Sequence, residues 1–151
     1  HDKAEEVLET GSFKAGEIWG WNLSLSSLLV PEIVSAFPKS KIIHLVQHPV
    51  TSSLRRNYLM AKIDDPLGRA VLQRAYKKMD IDPKRAEQDP KHIRNAISWV
   101  YQTELVHGFG QEQLKPDQYH LVRFEDLSNS LTTSSHKISK FIDAAKESNM
   151  A

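Results

Sequence analysis

The chain has 151 residues, enough for one compact domain, and its 40% hydrophobic and 26% charged residues are an ordinary globular balance. A net charge of +1 gives no global attraction to nucleic acid or to a membrane surface, so any anionic ligand must be held by local groups. The absence of cysteine excludes a disulfide framework, thiolate catalysis and Cys-ligated zinc or iron–sulfur centres, and it fits a reducing, cytoplasmic setting.

Taken in order, Asp2 to Thr10 has helix-forming composition, and Gly11 is its expected stop. Gly16 to Trp21 reads as a short strand. Ser26 and Ser27 are candidate caps for a helix through Ala36, with Pro31 tolerated in its first turn and Pro38 ending it. Leu29, Ile33, Ala36 and Phe37 recur on that helix at helical spacing. Lys41 to Val46 is the clearest strand. It lacks alternation, so the expectation is burial on both faces, as in a central parallel strand.

Pro49 suits the first turn of a helix running to about Lys62, and Asp64-Asp65-Pro66 breaks it. Leu67 to Met79 predicts a second helix with a basic face of Arg69, Arg74, Lys77 and Lys78. Asp80 to Pro90 reads as a surface loop. Lys91 to Phe109 is a long helix with Ile93, Ala96, Ile97, Val100, Tyr101 and Leu105 on one stripe, ended by Gly108 and Gly110. Lys115-Pro116-Asp117 is a turn, and Tyr119 to Phe124 is a second good strand. Ser128 to Ser135 reads as a linker before a terminal helix over His136 to Lys146. This order of elements predicts one α/β domain over residues 1–151, with three layers and a mainly parallel sheet flanked by helices. The start at His1 rather than Met reads as that of a fragment of a longer domain, and no signal peptide or membrane span is visible.

The stretch from Lys41 to Arg56 concentrates the chemistry. An apolar strand stops at Gln47-His48-Pro49, and a polar segment then leads to Arg55 and Arg56. In open α/β sheets ligands sit beyond the carboxyl ends of strands, and paired arginines there can hold a phosphate.

This strand and turn resemble the sulfotransferase signature, a strand ending in an arginine-x-proline turn with a phosphate-binding serine a little over two helical turns later. Trp19-Gly20-Trp21-Asn22, Leu28-Leu29-Val30-Pro31, Phe37-Pro38 and Lys41 to Val46 follow in the order that family shows, and Trp99 and Tyr119 to Leu127 continue the series. Ile138 to Ile142 is similar to the family's closing helix, so the likeness runs from about Gly16 to Ile142. It implies a P-loop-like fold, phosphoadenosine phosphosulfate as co-substrate, a hydroxyl or amine acceptor, and no metal.

Carried over residue by residue, the likeness puts Gln47 at the family's turn arginine and Arg55, eight residues on, at its phosphate-binding serine. Gln47, Arg55 and Arg56 thereby become the expected 3′-phosphate ligands. A charge-assisted hydrogen bond contributes roughly 1.5–3 kcal/mol against about 1 kcal/mol for a neutral one, so Gln47 alone is a weaker ligand than arginine and Arg55 restores the cation. Asn22 stands where related sequences carry a lysine beside the transferring group. It can hydrogen-bond but cannot neutralise a developing anion. Gly11 to Gly16 has the glycines of a phosphate loop without the Lys-Ser/Thr that should follow, and reads as a helix stop and turn.

The histidines have plainer readings. His44 is expected to be a buried, hydrogen-bonded strand residue, His48 a turn residue, and His107 a cation suited to a helix C-terminus. His120 is expected to face solvent or pair across the sheet. Glu125 and Asp126 are expected to cap a turn, and Trp99 to belong to the core. Two other functions fit the same residues: a non-catalytic nucleotide- or protein-binding module of the same fold, and a protein-interaction domain using the basic helix over residues 69–78. Adenosine-nucleotide binding without turnover is the mark of the first. Salt-sensitive binding to an acidic partner is the mark of the second.

Overall fold

The structure, a computed structural model, describes residues 20–56 and 58–148, with side chains as far as residue 143. The expected helix at Asp2 to Thr10, the Gly11 to Gly16 turn and most of the strand at Gly16 to Trp21 lie outside the described residues. Gly20 and Trp21, which are described, are not in a strand.

The described chain is a mixed α/β fold, mostly helical, with a small two-stranded parallel sheet. A 3₁₀ turn at Ser24–Leu28 leads into α1 (Val30–Ala36), where a single longer helix was expected. Pro31 has no N–H to bond to the preceding turn, so the two segments stay separate and Leu29 N donates to Ser26 O instead. The buried face of α1 carries Val30 and Val34 rather than Leu29, which is 51% exposed. Strand β1 (Ile42–Val46) follows. Then α2 (Pro49–Ser53), expected to reach Lys62, ends nine residues earlier, before a turn and a 3₁₀ turn at Leu59–Ala61.

Helix α3 (Pro66–Lys78) starts on a strong signal. Asp65 Oδ1 accepts from both Leu67 N and Gly68 N, and Pro66 fits the first turn. Asp80 ends it at φ 58°, a left-handed position that aspartate tolerates. The expected loop at Asp80 to Pro90 contains a 3₁₀ turn at Pro83–Glu87, capped by Asp82. Helix α4 (Lys91–Gln113) outlasts its expected end, because Gly108 and Gly110 sit inside it. A Cβ at Gly110 would lie 2.5 Å from the Tyr119 ring, so this glycine serves close packing and not termination. Strand β2 (Tyr119–Arg123) is one residue shorter than expected, since Phe124 already opens α5 (Phe124–Asn129). The expected linker is largely helical: after Ser130, α6 runs over Leu131–Ser148.

Strands β1 and β2 pair in parallel, with Ile42 opposite Tyr119 and Val46 opposite Arg123. Side chains alternate between the two faces of a strand. Tyr119 meets Gly110 and His107 of α4, whereas His120 stacks on Phe141 of α6 at 5.1 Å, so the two helices cover opposite faces. Burial of β1 on both faces is not observed. Ile43 and Leu45 are 40% and 51% exposed, because α6 packs on β2 and leaves the β1 half of that face uncovered.

Two apolar clusters hold the fold. Val30, Val106 and Tyr119 pack with Ile42, Phe109 and Leu114 beneath the sheet. Ala61, Leu72, Tyr76 and Ala86 pack with Tyr58, Ile63 and Ile97 between α3 and α4. The expected apolar stripe of α4 is only half-buried, and Ile93 is exposed. The residues buried along this helix include Asn95, Ser98 and Gln102. Their donors are taken up by the end of α2 and the irregular segment after it. Asn95 Nδ2 donates to Ser53 O and Arg55 O, Ser98 Oγ donates to Met60 O, and Gln102 Nε2 donates to Tyr58 Oη. Side chains of α4 thus hold carbonyls that a longer α2 would have needed for itself.

Candidate anion site at the strand ends

The parallel pairing puts the exits of β1 and β2 side by side. At the first exit, His48 opens α2, and its Nδ1 accepts from Val50 N at 3.3 Å. Its own backbone N donates to Glu125 Oε1 at 2.7 Å, which ties the β1 exit to the β2 exit. That bond and one from its own backbone N–H hold the Glu125 carboxyl below the usual carboxylate range. Glu125 therefore stays ionised, and its role is to clamp the turn. Asp126 is loosely paired with Arg123 at 3.8 Å, with both side chains exposed.

Two of the four expected site residues meet here. Arg55 Nη2 donates to Gln47 Oε1, so the guanidinium folds back across the eight-residue separation onto the strand end. The backbone of Arg55 is fixed on both sides: its N donates to Ser52 O at 3.3 Å, and its O accepts from Asn95 Nδ2 at 3.0 Å. Arg56 is exposed and has no hydrogen bond or ion pair among the described residues, and it does not join the pair. Asn22 is exposed in the irregular segment before the first 3₁₀ turn, and no hydrogen bond links it to Gln47 or Arg55. Beside it, Trp21 is anchored by donating Nε1–H to Ser26 Oγ at 2.9 Å.

Gln47 and His48 line a cleft of about 310 Å³ whose other wall is Trp99, Thr103 and His107 of α4, with Leu121 and Glu125 from β2 and its exit. Trp99 is half-buried on this wall. His107 is not at a helix end. Its Nδ1 lies 3.1 Å from Tyr119 Oη, which is also 2.9 Å from His44 Nδ1. Burial, with the neighbouring His107 charge, lowers His44 to about 4, and burial raises Tyr119 to about 12. At neutral pH His44 is thus an uncharged imidazole and Tyr119 a phenol with a single proton. That hydroxyl can donate to at most one of the two ring nitrogens.

A larger cavity, about 460 Å³, lies between α3 and the 3₁₀ turn at Pro83–Glu87. Arg69, Lys84, Asp64 and Glu87 all line it, so its charges are mixed, and it holds none of the expected site residues. The basic face of α3 is present, with Arg69, Arg74, Lys77 and Lys78 all exposed. Among the described residues, no group of three or more His, Cys, Asp or Glu is placed to hold a metal ion. No helix among them is long and apolar enough to cross a membrane.

Sequence reasoning missed Asn95, Thr103 and His107 as neighbours of the site. For Asn95 a signal existed: Asn95, Ser98 and Gln102 fall on one face of a helix, at polar positions between apolar ones. No family model matches the chain, and no curated protein or solved structure matches it.

Proposed function

We propose that this chain is a sulfotransferase-like domain that binds phosphoadenosine phosphosulfate at the strand ends and passes its sulfuryl group to a hydroxyl or amine acceptor. In this reading its helices and parallel strands are part of a three-layer, P-loop-like fold. The observation that carries the proposal is the Arg55–Gln47 hydrogen bond. The two positions that the family likeness assigns to the 3′-phosphate are in contact although eight residues apart in sequence. One guanidinium arm is spent on Gln47, and the remaining N–H groups stay available for phosphate oxygens, with the Gln47 amide N–H₂ beside them. Arg56 supplies a second cation nearby, and Asn22 would lie towards the transferring group. No metal is needed for this chemistry. The absence of cysteine fits a cytoplasmic setting.

Isothermal titration with adenosine 3′,5′-bisphosphate tests the site directly. Saturable binding that Arg55→Ala weakens about tenfold or more supports it, in line with loss of a charge-assisted bond. No binding by the wild-type chain at millimolar ligand overturns it. A second reading, a nucleotide-binding module without transfer, is favoured by the uncharged, exposed Asn22 at the position where charge development needs a cation. Binding without turnover on phenols, sugars and amines selects that reading.

A further inference from the structure

We propose that Asn95 is a positioning residue for the anion site: by holding the carbonyls of Ser53 and Arg55 it fixes the backbone from which Arg55 reaches Gln47. The inference rests on reading Gln47–Arg55 as a phosphate site. Asn95 is 1% exposed in the middle of α4, and both of its amide protons are used, at 2.9 Å to Ser53 O and 3.0 Å to Arg55 O. Its Oδ1 is buried without a hydrogen-bond partner among the described residues. A buried, unpaired acceptor costs free energy, so this amide is a poor choice for packing alone. What it accomplishes is to pin the end of α2 to the irregular residues that follow it. Arg55 is then held at three points: its N by Ser52 O, its O by Asn95, and its side chain by Gln47. A cation fixed before the ligand arrives loses less freedom on binding.

Ser98 supplies the internal control. It is equally buried on the same face of α4 and holds the same segment, but at Met60 O, five residues past Arg55. Titrations with adenosine 3′,5′-bisphosphate on wild type, Asn95→Ala, Arg55→Ala and the double variant form a cycle. The expected result is about a tenfold weakening for each single change, with the double variant no weaker than Arg55→Ala. Thermal melts should show the same stability loss from Asn95→Ala in both backgrounds, and Ser98→Ala should bind as wild type does. Additive binding losses, or an Asn95→Ala variant that binds as wild type, overturn the proposal. Should Asn95→Ala not fold, Asn95→Ser keeps one donor and carries the same cycle with a smaller loss.

A ligand-free readout separates this inference from the phosphate reading. The Arg55 Nε–H relaxation in NMR is expected to report an ordered side chain in wild type and in Ser98→Ala, and an averaged one in Asn95→Ala. If wild type fails to bind the nucleotide but this pattern holds, the phosphate reading fails and the positioning role stands. If Ser98→Ala frees Arg55 as much as Asn95→Ala does, Asn95 is only structural.

Discussion

Between pH 6.5 and about 4, the proton that His44 resists makes the stability of this fold depend on pH. Burial against Tyr119, with the His107 charge nearby, lowers the folded-state pKa of His44 from 6.5 to about 4. Unfolded chains take up this proton near pH 6.5 and folded chains only near pH 4, so in between the unfolded state carries more protons. The contribution of His44 is therefore complete above pH 6.5 and is lost as pH falls towards 4. At about 1.4 kcal/mol per pKa unit the full difference is about 3 kcal/mol. The ring keeps part of its solvent contact, so a working loss is about 2 kcal/mol. Urea denaturation across this range, on wild type and on His44→Gln, checks it. Glutamine still offers Tyr119 Oη an acceptor but does not titrate, so its profile should be flatter by about 2 kcal/mol over the window. Parallel profiles for the two proteins would refute the reasoning. Glu125, held below its ordinary value of 4.5 chiefly by the His48 backbone bond, keeps its contribution above that value, so the upper part of the window reports His44 without it.

Gly68→Ala should be among the most destabilising single changes, at roughly 3 kcal/mol by chemical denaturation. Its Cβ would press on the backbone carbonyls of Lys62 and Leu59, which cannot swing away as a side chain can. Ser98→Ala should cost about 1–3 kcal/mol, since it leaves Met60 O without its partner in a fully buried place and removes one contact of Gln102; a loss below the error of a urea melt would contradict that accounting. Glu125→Gln keeps an oxygen for His48 N but removes the ionised acceptor. A slightly lower melting temperature is expected at neutral pH, with the difference vanishing once the wild-type carboxyl is protonated in acid.

The strands were legible because Ile42-Ile43-His44-Leu45-Val46 and Tyr119 to Phe124 are compact runs of β-favouring residues between turn signals. Their burial was not, because a run such as this reads the same in a central strand and in a half-covered one. Exposure of Ile43 and Leu45 depends on where α6 lands. The end of α2 was illegible for a related reason. Thr51 to Lys62 contains nothing that forbids a helix, and what stops it is a competing set of donors forty residues downstream. Polar residues at 95, 98 and 102 would ordinarily be assigned to the solvent side, so the apolar stripe took the buried face by default. Gln47 and Arg55 were singled out through the sulfotransferase likeness, and their contact needed the structure. Asn22 and Arg56, selected by the same route, make no such contact.

The parallel pairing of β1 with β2 also sets an order of events during folding. Val46 ends one strand and Tyr119 begins the other, so the sheet cannot close until everything between them has been made and compacted. Contacts within the span, such as those of α3 and α4 around Leu72 and Tyr76, close shorter loops and are expected to come first. Truncating Val122 should then accelerate unfolding and leave the refolding rate nearly unchanged in stopped-flow experiments, whereas Leu72→Ala should slow refolding. During synthesis, β1 emerges long before its partner strand. Until Tyr119 to Arg123 leave the ribosome, the backbone N–H and C=O groups along the pairing edge of β1 have no partner strand.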